Sequence, residues 1–371
     1  MSERTVKRLL AAVPADREAE ERAWAIVRAA YAEHEPVRAR PPLRWAPAFA
    51  VLLGAAAVAA AAFSPPGRAV VDAVRRTIGI EHAAPALFRL PAPGRLLVSG
   101  NGGTWLVAAD GSKRRLGDYT QAAWSPHGLF VVAATGNELA TLEPRDGSVH
   151  WSLARPRIAF PRWGGSRTDT RVAYVTANRL HVVGGDGKAD VEPAGLPAAA
   201  RVAPAWRPGD RHVLAYVTRG GRVIVFDTDE GTVAWRSRAY AQPRALLWSP
   251  SGKTIVLATA RSVVLFDARS GRAHTLALAG TRAAAFSRQG RLAVLRGATV
   301  LVVDGARTRR LFTAPARLSG LTWSPNGRWL LTTLPDADQW IFVSGTRVLA
   351  VSHIARQFDG VPALDGWLPG A

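Results

Sequence analysis

The chain has 371 residues, a net charge of +20 and no cysteine. Disulfides and thiolate metal sites are therefore excluded, while the length admits more than one domain. Of the 48 basic residues only four are Lys; with so much Ala, Gly and Pro, a GC-rich coding bias accounts for much of the arginine, and the other reading is attraction towards an anionic partner.

Residues 1–44 are polar and of mixed charge. Asp16 is placed to cap a helix, with Glu18, Glu20 and Glu21 in its first turns. Ala23, Ile26, Val27, Ala30 and Tyr31 then recur at helical spacing. The pattern predicts an amphipathic tail helix, ended by the linker around Pro36, Pro41 and Pro42.

From Trp45 to Phe63 the chain carries no charge and is rich in Ala, Val and Leu. At about 1.5 Å per residue such a run just crosses a hydrocarbon core of roughly 30 Å. Trp45 and Phe63 suit the two interfaces, and the polar lead is too long for a signal peptide. A single uncleaved span at 45–63 is expected. Arg38, Arg40 and Arg44 lie closer to it than Arg68, Arg75 and Arg76. By the positive-inside rule the tail at 1–44 is then cytoplasmic and everything beyond the span extracytoplasmic. Residues 64–84 read as a juxtamembrane helix and linker, with Val70, Val71, Val74 and Ile78 on one face and Gly79 at the end.

Residues 85–371 are built on a repeat. Trp124-Ser125-Pro126-His127-Gly128, Trp248-Ser249-Pro250-Ser251-Gly252 and Trp323-Ser324-Pro325-Asn326-Gly327 are its clearest copies. Trp163, Trp206 and Phe286 head looser ones, and Trp367 heads a final copy with nothing behind it. From Trp124 to Trp323 the steps are 39, 43, 42, 38 and 37 residues. Proline ends a strand because it cannot donate to the ladder, and Pro-x-Gly turns the chain. Period-two runs follow, the third usually closing on aspartate, as at Asp110, Asp227, Asp267 and Asp304. Four short strands per repeat predict an all-β fold, a β-propeller counted at seven blades, with six or eight left open, and with inward aromatics at Trp124, Trp163, Trp206, Trp248, Phe286, Trp323 and Trp367. The ring is expected to close either through Trp367, whose strand completes the first blade, or through Leu87–Leu90.

The Trp-Ser-Pro-x-Gly turn resembles the WD40-like repeats of TolB-type propellers. Gly147 to Trp151 and Gly231 to Trp235 look like the docking tryptophan of quinoprotein-type and BamB-like propellers. The layout resembles actinobacterial single-pass membrane proteins with an outer propeller. What the resemblance implies is interaction or sensing rather than catalysis.

Chemistry is sparse. The eight histidines form no His-x-x-x-His pair, and neither a Gly-x-Ser-x-Gly elbow nor a phosphate loop is present. No catalytic residue, metal or cofactor is expected. Blade three departs from the repeat, with Gly164-Gly165 for Ser-Pro and a longer turn, so Arg162, Arg167 and Asp169 are the candidate partner-binding residues. The expected protein is a cell-membrane monomer that binds a protein or an anionic envelope polymer, with no specific nucleic acid. The alternatives are an anti-sigma-like signalling protein acting through its tail and an extracytoplasmic propeller enzyme.

Overall fold

The computed structural model describes Ala83, Ala84 and residues 89–370, apart from positions 167, 210 and 306. The tail helix, the apolar run 45–63, the juxtamembrane helix and Leu87 lie outside the described residues. Within the described residues no helix is long and apolar enough to cross a membrane.

Seven sheets follow one another along the chain, so the fold is an all-β, seven-bladed propeller. Blade two shows the regular plan. Its strands Gln121–Trp124, Val131–Ala134, Glu138–Leu142 and Val149–Ala154 pair antiparallel in sequence order from the channel outwards. The ring closes through the C-terminus. Ala363–Leu368 is the innermost strand of blade one and pairs antiparallel with Arg95–Gly100, Trp367 lying opposite Leu96.

Two blades depart from the plan. Blade seven gains a fifth strand from the N-terminal side, where Ala83–Ala84 runs parallel to Arg347–Ser352. Blade three has only three strands, Ile158–Gly165, Thr170–Thr176 and Arg179–Gly184. Its fourth is reduced to a single bridge between Val182 and Val191. Polar contacts fix that connection instead. Asp190 accepts Tyr174 Oη at 2.8 Å and Arg155 Nη2 at 2.8 Å.

The turn chemistry explains the repeat. In the three full copies the buried Ser125, Ser249 and Ser324 accept, on Oγ, the backbone N–H five residues on, at 3.0, 3.0 and 2.9 Å. Gly128, Gly252 and Gly327 stand at φ 68, 64 and 64°, where a Cβ is strained. Serine thus satisfies a donor that proline's turn would strand, and glycine supplies the left-handed residue. Aspartate closes the outer hairpins in a similar way. Asp267 Oδ1 accepts Ser270 N at 2.8 Å and Ser270 Oγ at 2.6 Å, which holds this exposed carboxyl below its usual range.

A four-stranded sheet has two apolar faces, and each is buried against a neighbouring blade. The core is accordingly divided among the blade interfaces, as where Leu97, Leu106 and Leu116 of blade one meet Trp124, Val131 and Ala133 of blade two. We call the face carrying the Trp-Ser-Pro turns the lower face. The innermost strands begin at the upper face.

Candidate partner-binding face

The aromatics of the repeat link successive blades by one rule. The Nε1–H of Trp248 donates to Ala205 O at 2.9 Å, and Ala205 precedes the aromatic of the previous blade, Trp206. Trp206 likewise reaches Arg162 O at 3.0 Å, Trp323 reaches Ala285 O at 3.2 Å, and Trp124 reaches Gly366 O at 3.4 Å. Trp163 and Trp367 are buried at the equivalent sites without a partner for their indole nitrogens. The geometry is a chain of wedges round the lower face, each half apolar packing and half hydrogen bond.

Phe286 breaks the chain. Phenylalanine is one ring shorter and has no N–H, and it stands half-exposed. A recess of about 600 Å³ opens there between blades five and six. Phe286, Leu265 and Leu292 supply apolar lining, while Ser251, Arg288, Gln289 and Asp304 are among its polar residues. An apolar floor with a polar rim is the general form of a binding pocket. The recess was missed by motif reading, although its signal was present. Phe286-Ser287-Arg288-Gln289-Gly290 is the copy that replaces both the tryptophan and the proline.

Of the residues singled out in blade three, Arg162 and Asp169 have separate surroundings. Arg167 lies outside the described residues. Asp169 joins an interblade staple. It pairs with Arg171, and its backbone carbonyl lies 3.2 Å from His212 Nε2. The other nitrogen of His212, Nδ1, faces Asp229 Oδ2 at 2.6 Å, with Arg171 Nη2 3.7 Å from Asp229 Oδ1. His212 is buried and meets the edge of Trp206, so this cluster fastens blade three to blade four. Arg162 is elsewhere, on the innermost strand, where its Nη1 donates to Pro161 O at 2.8 Å.

Asp365, on the innermost strand of blade one, feels the charge of Arg162. Both residues are half-buried and lie on innermost strands. Burial lowers the Arg162 guanidinium and raises the Asp365 carboxyl to about 7, against the opposing pull of Ser99 and Arg162. Asp365 Oδ2 has no hydrogen-bond partner. Asp365 was not singled out from sequence. No group of three or more His, Cys, Asp or Glu among the described residues is placed to hold a metal ion.

The two docking tryptophans stand on outermost strands. Trp151 Nε1 donates to Gly185 O at 2.8 Å and Trp235 Nε1 to Ala268 O at 2.9 Å, each in the next blade. A Cβ on Gly187 or Gly271 would come within 2.8 or 2.9 Å of those indole rings. Glycine there lets the ring lie flat on the neighbouring backbone.

A family profile described as outer membrane protein assembly factor BamB matches residues 187–353. The fold is that of a repeat-type β-propeller. Among solved structures, a chain of the mitotic checkpoint complex is similar over 70% of this chain and 93% of its own, at 16% identity and TM-score 0.55. The Myceliophteria thermophila Cps50 (Swd1) propeller domain is similar over 62% and 85%, at 14% identity and TM-score 0.50. Hydrazine synthase of Kuenenia stuttgartiensis matches over 60% and 76%, at 16% identity and TM-score 0.48. No curated protein matches the chain. The likenesses to the checkpoint-complex chain and the Cps50 domain bear on the fold, and BamB-type repeats fit a binding or scaffold module.

Proposed function

We propose that this protein is a membrane-anchored, non-catalytic propeller that holds a protein partner on its lower face, at the recess between blades five and six. The observation that carries the reading is the broken wedge at Phe286, beside apolar Leu265 and a rim of Arg288, Gln289 and Asp304. Half-buried apolar surface ringed by polar groups is where a partner's anchoring side chain gains most. The matched profile describes an assembly factor, a role that agrees with a module for holding proteins together. The anchor is the span at 45–63, with residues 1–44 cytoplasmic and the propeller outside the cell membrane.

The test is a photo-crosslinking residue placed at Gln289 of the full chain in living cells. A discrete adduct is expected there, none from the same residue at Arg145, and loss of the adduct when Phe286→Trp fills the recess. An adduct that survives Phe286→Trp, or no adduct, overturns the assignment.

A further inference from the structure

The two faces of the ring differ in charge. In blades four to six every described carboxylate sits at the lower face. Asp227, Asp267 and Asp304 end third strands there, and Asp229 and Glu230 lie in the hairpin that follows Asp227. The upper face of the same blades carries arginine alone. Arg219 and Arg261 occupy the turns between second and third strands. Arg244 and Arg282 occupy equivalent positions at the start of innermost strands, and Arg317 precedes the innermost strand of blade seven. All five are exposed, and among the described residues none of their guanidinium groups has an ion-pair or hydrogen-bond partner. Like charges set side by side without counter-charges work against the fold, so an arc of this kind is explained by something that binds it.

The arc has a recess in it. Arg244 and Arg282 line a cavity of about 250 Å³ together with Ala260, Gly280 and Thr281. The neighbouring Arg296 is turned aside, its Nε donating to Ala279 O at 2.5 Å. Ala260 and Gly280 leave room for an anion between two guanidinium forks. A planar carboxylate is satisfied by one fork, whereas a tetrahedral phosphate offers oxygens to both. The arc continues from blade four through blade six to the edge of blade seven, which suits a chain of phosphates rather than one ion. Unpaired bases need aromatic platforms. On this part of the face Tyr240 is already covered, by Arg238 at 4.9 Å and by Phe266 edge-on at 5.8 Å. A flat bilayer would meet the rim and leave the recess unfilled.

We propose that the upper face of blades four to six binds a linear phosphate polymer without bases, one phosphate seated between Arg244 and Arg282. This shares with the protein-binding reading only the premise that the propeller binds, and it concerns the opposite face. The test uses the full chain in zwitterionic nanodiscs and labelled inorganic polyphosphate of defined length, followed by anisotropy across a salt series. Arg244→Gln with Arg282→Gln is expected to weaken binding about tenfold or more and to lower the salt slope by about two. Arg269→Gln with Arg272→Gln makes the same charge change on the lower face and is expected to leave binding intact. Should the first pair lower the melting temperature, Arg219→Gln with Arg261→Gln provides the same comparison. No binding of polyphosphate, or equal losses from upper and lower pairs, overturns the proposal. Competition by oligothymidylate, polyglutamate or phosphatidylglycerol nanodiscs as effective as that by unlabelled polyphosphate also overturns it. Loss of the Gln289 adduct would leave this result untouched, so the two readings fail separately.

Discussion

Phe286→Trp should stabilise the propeller, because it completes a wedge that its neighbours already make. By the rule of the chain, the new indole would reach Leu247 O, the carbonyl before Trp248, as Trp248 reaches Ala205 O at 2.9 Å. One such bond contributes about 1 kcal/mol net. The second ring would bury roughly 30–40 Å² more apolar surface, worth about 1 kcal/mol. The recess of about 600 Å³ leaves room for the ring without displacing the core. Together these amount to about 1.5–2 kcal/mol, and a domain of this size gains about 2 °C per kcal/mol. A rise of about 3–4 °C in the melting temperature is therefore expected, by calorimetry or intrinsic fluorescence on the intact chain. An unchanged or lower melting temperature would refute the reasoning. The recess would then be a feature that blade packing requires, not a missing wedge.

Three further outcomes follow from the geometry. Deleting residues 359–371 removes the strand that pairs with Arg95–Gly100 and leaves its edge open, so a lower melting temperature and faster light-scattering aggregation are expected. Gly271→Ala puts a Cβ 2.9 Å from the Trp235 ring at φ 69°, and a loss of roughly 1–3 kcal/mol should appear in denaturant melts. Asp365 is raised to about 7 by burial, so the folded chain holds a proton that the unfolded chain releases near 3.8. Its stabilising contribution is present at acid pH and is lost as pH rises from about 4 to about 7. Asp365→Asn should therefore raise the melting temperature more at pH 8 than at pH 4, and equal shifts at the two pH values would place the carboxyl in an ordinary environment.

Much of the architecture was legible in the residues because it is local. The Ser-Pro-x-Gly turn, the Ser Oγ that satisfies its N–H, and the Asp of the outer hairpin all act within a few positions of the chain. Their period pointed to seven blades and left six or eight open until the sheets were seen, and the period-two runs between them marked strands. Trp151 and Trp235 were marked by the motifs Gly147 to Trp151 and Gly231 to Trp235, but the glycines they lie against, Gly187 and Gly271, belong to the next blade. Closure is different. Leu87–Leu90 and Ala363–Leu368 both satisfied the local pattern, and the choice between them was made by pairing across the whole length of the chain.

The candidate binding surfaces take shape only in the tertiary structure. A phenylalanine in place of tryptophan is a conservative change in sequence, and it becomes a recess only because blade five stands where the missing indole would have reached. Asp169 looked like part of an exposed irregular turn, yet His212 and Asp229 from the next blade draw it into a staple. Asp365 and Arg162, about two hundred positions apart, act on each other because ring closure sets blade one two places from blade three. The arginines of blades four to six are scattered in sequence, and strand direction alone sorts them from the aspartates. The amino-acid order determined the turns and the strand period, which depend on neighbours along the chain. The wrapping of those strands into a ring decided which side chains share a face, because that depends on angles between blades that no single repeat contains.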